Sequence, residues 1–459
     1  MLLESCIPRS PRSSIAAWLL VLVVLSGVRF AYALFASPAG WSAPTYMEIV
    51  YDNQSRVPVA EDGLKRRWGP LFLVGMDAAA RLPIAERTLR ISVRLALLAM
   101  YAATIALLAG LFRGVTWRLV LIALALQSSA AIYAISSGMG EVVLGICSVG
   151  HFVLFVKRRY RSAALLICGG IYFKLLPVIF AFPYFLFSLL SRDHRRYARA
   201  LVASGILVAL ASVPVSGWAF GFLYPLSMVG SVMTDADLLP VLSKEVFGVV
   251  SLISRFALSF RVQEADPHAV VLAKSVASLA GVLLIVSTAA GALLLRRDER
   301  VWRIEPERRL GALLVFQSAI GFLVFALSPD VSVTHMLPLC VSLYAPLWLM
   351  SRRENPADRW QMVSWLVYAV GLALSGNLIP LSILYRALPL AWLDQMAGNA
   401  PAALIVHEKY IWYGIPMIGV LLVAVAFGRS FLRTTPVRTP GPALGESGPR
   451  QPPASPQSA

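Results

Sequence analysis

Residues 157–199 read KRRYRSAALLICGGIYFKLLPVIFAFPYFLFSLLSRDHRRYAR, an apolar stretch enclosed by two basic clusters. Its apolar part, residues 162–190, exceeds the roughly 20 residues of one transmembrane helix but is too short for two full spans. Short basic loops stay on the cytoplasmic side of a membrane. Because both ends are basic, the sequence predicts two half-crossings that meet near Lys174 and Pro177. Such a broken backbone is tolerated only where it faces protein or a water-filled cavity.

The rest of the chain is apolar in the same way. Of its 459 residues, 58% are apolar and 14% are charged, against roughly 45–50% and about 25% in soluble globular domains. The mean hydropathy is +0.71. These values argue against a water-soluble enzyme. We expect an all-α polytopic membrane protein of about 10–12 transmembrane helices, some of them re-entrant or broken.

Apolar runs set the expected domain organisation. The first, residues 14–35, is interpreted as an uncleaved signal anchor after a cytoplasmic N-terminus of residues 1–13; a cleaved signal peptide is the alternative. Residues 14–432 form the membrane domain, and the Pro-, Gly- and Ser-rich residues 433–459 form a disordered cytoplasmic tail. The other predicted spans lie near 92–112, 115–136, 140–156, 197–217, 269–295, 309–328, 335–350, 359–380 and 409–428.

The distribution of basic residues predicts the orientation. The net charge is +17, but the Lys and Arg residues cluster in alternate short loops, and the loops near Gly138 and Asp330 have none. The positive-inside rule therefore places both termini in the cytoplasm. Nucleic-acid binding is not expected, because no basic stripe interleaves with exposed aromatic residues.

Polar and aromatic residues gather in the loops on the opposite side. The two major extracytoplasmic loops are residues 36–91 and 218–268. The first carries acidic and aromatic residues and a stretch, Leu71 to Leu82, whose spacing suits a helix lying at the membrane surface. The second carries Lys244 and Arg255. This asymmetry predicts that the chemistry takes place outside the cell.

Several single residues are candidates for that chemistry. Lys174, an intramembrane cation, is a functional candidate by default, with snorkelling to the interface as the alternative. Glu141 suits the N-terminus of a helix, where an acid complements the macrodipole. His335 is either a polar cap or a site residue, and Glu48 and Asp52 are either solvated or catalytic. The sequence has no Walker A, HExxH or paired Cys/His motif, so no metal site is predicted.

The order of these motifs resembles that of the bacterial polyprenol-phosphate-sugar-dependent glycosyltransferases of family 87, in the GT-C superfamily. An acidic residue near a Val-Tyr pair is matched around Tyr46–Tyr51, and a Tyr-Pro-Pro-Leu-type stretch is matched by Trp68–Phe72. A Gly-Gln-type turn, a Lys-x-x-Pro element and a Ser-Pro turn followed by His are matched at Gly138–Glu141, Lys174–Pro177 and Ser328–His335. The similarity covers residues 14–350. It departs from the family pattern where the acid is expected, because Met47 stands there and Glu48 follows it.

The resemblance implies a GT-C-type bundle and a transferase that uses a polyprenyl-phosphate sugar, with mannose as the expected sugar. The acceptor is a lipid or a glycan, and the enzyme contacts membrane lipids. Glu48 or Asp52 would be the general base. The donor phosphate would bind Lys174, Lys244, Arg255 and His335, and the sugar or acceptor would contact Tyr46, Tyr51 and Trp68. No cofactor is implied and a metal is not obligatory, because the phosphate leaves as a stable anion.

Two other functions stay open at this stage. A non-enzymatic lipid or polysaccharide transporter would have charged residues paired deep within several spans, and the sequence has few besides Lys174. A glycan ligase or polymerase would be expected to have a long outer loop with several Arg residues. Residues 218–268 contain two, Arg255 and Arg261.

Overall fold

A computed structural model of the protein describes residues 11–35, 69–80, 82–136, 138–190, 194–216, 222–224, 337–338, 340–351 and 359–375, and the single positions 275, 279, 282, 286 and 422. The regular elements of this part of the chain are α-helices. In chain order they are α1 (Pro11–Phe35), α2 (Pro70–Ala80), α3 (Glu86–Ala109), α4 (Val115–Leu126), α5 (Ser129–Ser136), α6 (Glu141–Val156), α7 (Tyr160–Phe173), α8 (Val178–Leu190), α9 (Arg195–Ser216), α10 (Cys340–Ser351) and α11 (Arg359–Ser375).

Three of the described helices are long and apolar enough to cross a membrane, through the segments Ile15–Tyr32, Arg87–Ala109 and Arg195–Pro214. Helices α4 and α5 add a fourth span if they are counted together, with a bend of 56° between them. The described part of the chain is therefore an all-α membrane protein, as the sequence predicts. Three predicted spans, at 269–295, 309–328 and 409–428, lie almost entirely outside the described residues. The predicted total of about 10–12 spans depends on them.

The outward faces of these helices are apolar. On α1, Trp18 is 74% exposed and Tyr32 is 71% exposed, and on α11 Leu366 is 63% exposed. Large exposed apolar surfaces of this kind mark membrane or protein contacts. These faces suit hydrocarbon, so the bundle is built to be solvated by lipid.

The break expected near Lys174 and Pro177 is present. Helix α7 ends at Phe173 and α8 begins at Val178, and Lys174 between them has extended backbone angles, φ −158° and ψ 137°. Pro177 contributes to the break because a proline disfavours helical geometry in the residue before it. The chain then reverses, and the ring of His194, after α8, lies 5.9 Å from the ring of Tyr160 at the start of α7. Both ends of residues 160–190 thus lie at one end of the bundle.

Helix α6 is the centre of the described bundle and packs against α3, α7 and α10. Small residues permit the close approach of α6 and α7: a Cβ on Gly170 would lie 2.9 Å from the Cβ of Cys147. Buried rings fill the space toward α8 and α9, where Nε2 of His151 is hydrogen-bonded to the hydroxyl of Tyr197 at 2.7 Å. His151 is buried among these rings, where it has a structural role.

The two ends of the bundle can be told apart by contacts of α3 and α6. Nε of Arg94, in the first half of α3, donates a hydrogen bond to the carbonyl oxygen of Ser136 at 2.8 Å, shortly before α6 begins. The start of α3 therefore lies at the same end as the break at Lys174. The starts of α7 and α9 lie at the opposite end.

This arrangement predicts which positions share a side of the membrane. In a background without the four native cysteines, we expect Ser162→Cys and Arg195→Cys to react with a membrane-impermeant thiol reagent only after permeabilisation. Leu82→Cys, which is 49% exposed near the start of α3, should react in intact cells and is the positive control. Reaction of the cysteine at position 195 in intact cells would contradict both the reversal at Lys174 and the expected orientation.

Candidate functional site

An ion pair occupies the break between α7 and α8. Nζ of Lys174 lies 2.9 Å from Oε1 of Glu141, and the two side chains are 16% and 4% exposed. Glu141 is in the first turn of α6, and Lys174 follows the last residue of α7. The two charges come from separate apolar segments, and they meet inside the bundle at one end of it.

Both charges also suit their positions in the helices. Glu141 lies at the N-terminus of α6, where the helix macrodipole favours an acid, and Lys174 lies at the C-terminus of α7, where it favours a cation. The backbone N–H of Lys174 still donates to the carbonyl oxygen of Gly170 at 2.9 Å, which fixes the residue at the end of α7. The turn before α6 uses Gly138 with φ 64°, a left-handed conformation that glycine adopts without steric cost.

A segment of the first long loop docks against the same break. The backbone N–H of Gly69 donates to the carbonyl oxygen of Phe173 at 2.8 Å, and the rings of Phe72 and Phe173 meet edge to face at 5.2 Å. Pro70 begins α2, a position at which proline is favoured because its missing N–H is not needed. The helix expected over Leu71 to Leu82 is therefore present as α2.

The contact at Gly69 leaves no space for a side chain. A Cβ on this residue would lie 2.0 Å from the carbonyl oxygen of Tyr172. Glycine is required here for close approach of two backbones.

Two tyrosines line this region. The rings of Tyr172 and Tyr224 lie 6.0 Å apart, and the hydroxyl of Tyr172 donates to the carbonyl oxygen of Phe222 at 3.4 Å. Burial raises the pKa of the Tyr224 phenol, and a hydrogen bond with the backbone of Leu175 acts in the opposite direction. The Tyr224 phenol therefore stays neutral near pH 7. Nothing in the sequence distinguishes Tyr172 or Tyr224 from the other tyrosines.

A fourth segment reaches the first turns of α6. A Cβ on Gly145 would lie 3.3 Å from the carbonyl oxygen of Leu337. Gly145 is one helical turn after Glu141, and the described chain resumes at Leu337, two residues after His335. The segment Ser328–His335 is thus followed by Leu337, which packs against α6, the helix that carries Glu141.

The structure describes one of the nine predicted site residues, Lys174, and adds its partner Glu141. The other eight, which lie outside the described residues, are Tyr46, Glu48, Tyr51, Asp52, Trp68, Lys244, Arg255 and His335. The pairing of Glu141 with Lys174 was not anticipated, although an acid and a lysine in adjacent apolar segments are a signal that could have suggested it. Within the described residues, no group of three His, Cys, Asp or Glu side chains could hold a metal ion.

No protein-family model matches the chain, and no curated protein matches its sequence. The relation to family 87 therefore remains a resemblance carried by the motifs. Three of those motifs, at Trp68–Phe72, Gly138–Glu141 and Lys174–Pro177, contribute described residues to the same end of the bundle. The spacing of these motifs along the sequence does not show that they lie close together in the folded chain.

The close approach at Gly69 predicts the effect of adding one methyl group. Gly69→Ala should destabilise the protein by about 1–3 kcal/mol, as overpacking of a tight contact does, because α2 must move away from α7. Gly75→Ala is the matched control, since a Cβ there meets nothing within 4 Å. Thermal unfolding of the detergent-solubilised variants measures both effects. Equal stability of the two variants would contradict the docking of Gly69.

The ion pair predicts that removing one charge destabilises the protein more than removing both charges. Lys174→Met should lower the free energy of unfolding by about 3 kcal/mol, because it leaves the buried Glu141 carboxylate without its partner. Lys174→Met combined with Glu141→Gln should recover most of that loss, because no uncompensated charge is left. Unfolding midpoints of the wild type, both single variants and the double variant test this. A double variant no more stable than Lys174→Met would refute the pairing.

Proposed function

We propose that the protein is an integral-membrane glycosyltransferase that moves one sugar, mannose by the resemblance, from a polyprenyl-phosphate donor to a lipid or glycan acceptor. The reaction takes place at the extracytoplasmic face of the bacterial plasma membrane. The observation that carries the proposal is the Lys174–Glu141 pair at the broken helix, with Gly69 of the first loop docked on the same break. Motifs of the resemblance that are far apart in the sequence converge there.

In this proposal Lys174 binds the donor phosphate. The phosphodiester of the donor carries one negative charge, and a second develops on the leaving phosphate as the bond to the sugar breaks. An ammonium beside that oxygen interacts more strongly with the transition state than with the ground state, which is the requirement for acceleration. Lys244, Arg255 and His335 are proposed as further ligands of the phosphate.

Glu141 is proposed as a positioning residue for Lys174. A lysine ammonium has three N–H donors on a flexible stem, and the carboxylate fixes one of them at 2.9 Å. Proton acceptance is assigned to a carboxylate of the first loop, as the resemblance implies. The general base is Glu48 or Asp52, from the same loop as Gly69, which docks on the break.

The chemical step is a single displacement. The acceptor hydroxyl oxygen attacks the anomeric carbon, its proton passes to the carboxylate of Glu48 or Asp52, and the electron pair of the breaking bond goes to the phosphate oxygen. The anomeric configuration inverts, by analogy with base-assisted inverting glycosidases. Tyr46, Tyr51 and Trp68 supply ring faces for the sugar or the acceptor. The balance of atoms and charge requires no metal.

The proposed orientation in the membrane is built on the same break. The two short helices α7 and α8 are proposed to be half-crossings whose meeting point faces the extracytoplasmic side, and both termini are proposed to be cytoplasmic. A donor with a polyprenyl tail needs a site that opens to the bilayer. A broken helix at that depth is tolerated where it lines a cavity or packs on protein.

A transporter is the alternative that one observation favours. Charged residues that pair within a membrane bundle occur along transport pathways, and Lys174 with Glu141 is such a pair. In the transporter reading the pair gates or couples transport and no covalent product forms. Detection of a new glycosidic bond separates the two functions.

The test is a transfer assay with purified protein in proteoliposomes, radiolabelled polyprenyl-phosphate mannose and a bacterial lipid extract. Wild type and Gly75→Ala should form a labelled product. The neutral double variant, Lys174→Met with Glu141→Gln, should be at least about a hundredfold slower, since loss of one preorganised donor has that effect. Either Glu48→Gln or Asp52→Asn should abolish transfer while donor binding survives.

Two outcomes would overturn the proposal. One is the absence of labelled product with polyprenyl-phosphate mannose, glucose and arabinose alike, from a protein whose unfolding midpoint shows that it is folded. The other is full activity in the double variant and in both carboxylate variants. Movement of labelled lipid or glycan across the vesicle without a new bond would favour the transporter.

A further inference from the structure

The far end of the bundle has a basic groove that the proposed transferase does not use. It lies between the first turns of α7 and α9, has a volume of about 960 Å³, and is lined by Arg158, Arg161, Arg196 and Arg199 together with Leu165 and Leu207. We refer to it as the arginine groove. It begins where the two basic clusters enclose residues 162–190, at the end of the bundle opposite to Lys174.

The four arginines concentrate positive charge at one place on the bundle. Their side chains are exposed, and within the described part of the chain no carboxylate forms an ion pair with any of them. Neither α7 nor α9 has an acid in its first turn, although helix N-termini carry partial positive charge that acids normally complement. Arginines at two helix N-termini repel one another unless an anion lies between them.

The positive-inside rule accounts for the presence of basic residues here but not for their convergence. Lys157, Arg159 and Arg195 are exposed in the same two turns, and none of them lines the groove. Arg158, which does, has φ 58°, a left-handed conformation that is uncommon for residues other than glycine. The turn therefore places an arginine at the groove in a backbone conformation that glycine would adopt with less strain.

The groove also has an apolar half. Leu165 is 47% exposed and Leu207 is 59% exposed, and Ala203 lies between Arg199 and Leu207 along the wall formed by α9. A free phosphate ion would satisfy the arginines and leave these side chains in contact with water. A molecule with a phosphate at one end and an acyl chain at the other matches both halves.

We propose that the arginine groove binds an anionic phospholipid of the cytoplasmic leaflet. Its phosphates lie among Arg158, Arg161, Arg196 and Arg199, and an acyl chain runs along Leu165 and Leu207. Basic pockets between transmembrane helices on the cytoplasmic side suit such headgroups. Four guanidinium groups and two helix N-termini exceed the charge of one phosphodiester, so the groove favours a lipid with two phosphates, such as cardiolipin, over one with a single phosphate.

The test is lipid binding by the full-length, detergent-solubilised protein, at roughly 0.15 M salt, where charges more than about 8 Å apart are largely screened. Fluorescent cardiolipin is titrated, with unlabelled phosphatidylglycerol, phosphatidylcholine and inorganic pyrophosphate as competitors. The groove variant replaces Arg161, Arg196 and Arg199 by Gln. The matched control replaces Lys157, Arg159 and Arg195 by Gln, which removes the same charge from the same turns.

We expect the groove variant to bind cardiolipin at least about tenfold more weakly, since each basic residue near an anionic lipid contributes roughly fivefold. The control variant should change by less than about twofold. Leu165→Trp, which fills the apolar half, should weaken cardiolipin binding and leave pyrophosphate binding unchanged. If the groove variant does not fold, Arg199→Gln against Arg195→Gln gives the same comparison with one charge.

Three results would overturn the proposal. Equal weakening in the groove and control variants would mean that binding depends on overall charge. Competition by phosphatidylcholine as effective as that by phosphatidylglycerol would remove the requirement for an anion. Pyrophosphate binding as tight as cardiolipin binding, with no effect of Leu165→Trp, would identify a site for a soluble phosphate compound.

Discussion

The described structure depends on one buried ion pair, between Lys174 and Glu141. A charge inside a membrane bundle is costly unless it is paired, and each of these two residues offsets that cost for the other. The pair fixes the start of α6 against the end of α7, at the point where the helix breaks after Phe173. The docking of Gly69 on Phe173 then extends the same junction to the first loop.

The break also determines the opposite end of the bundle. Since the chain reverses at Lys174 and again between α8 and α9, the starts of α7 and α9 lie at the same end, and Tyr160 meets His194 and Tyr197. Two helix N-termini with arginines in their first turns are thereby placed side by side. One local feature thus yields a polar junction at one end of α7 and a strongly basic groove at the other.

Sequence reasoning located the break and missed the partner. The basic clusters on both sides of residues 162–190 require an even number of crossings, and that parity argument predicts the reversal from charge alone. The pairing of Glu141 with Lys174 involves residues 33 positions apart on different helices. The macrodipole accounts for an acid at the start of α6 equally well without any partner, so no sequence pattern selects the pairing. The same holds for Gly69, whose need for close approach exists only once Tyr172 lies opposite it.

By itself the sequence determined that this protein lies in a membrane and that its secondary structure is helical. Apolar runs of spanning length and basic turns are local properties, and they specify an all-α membrane protein and the bounds of α6 and α9 to within about two residues, whereas α3 begins at Glu86, before the predicted span near 92–112. Which charges meet, which glycines face a backbone and which arginines share a groove were decided only by the tertiary structure. The physical reason is that these contacts depend on how helices approach one another, and small residues such as Gly145 and Gly170 set that approach only when a particular neighbour is present.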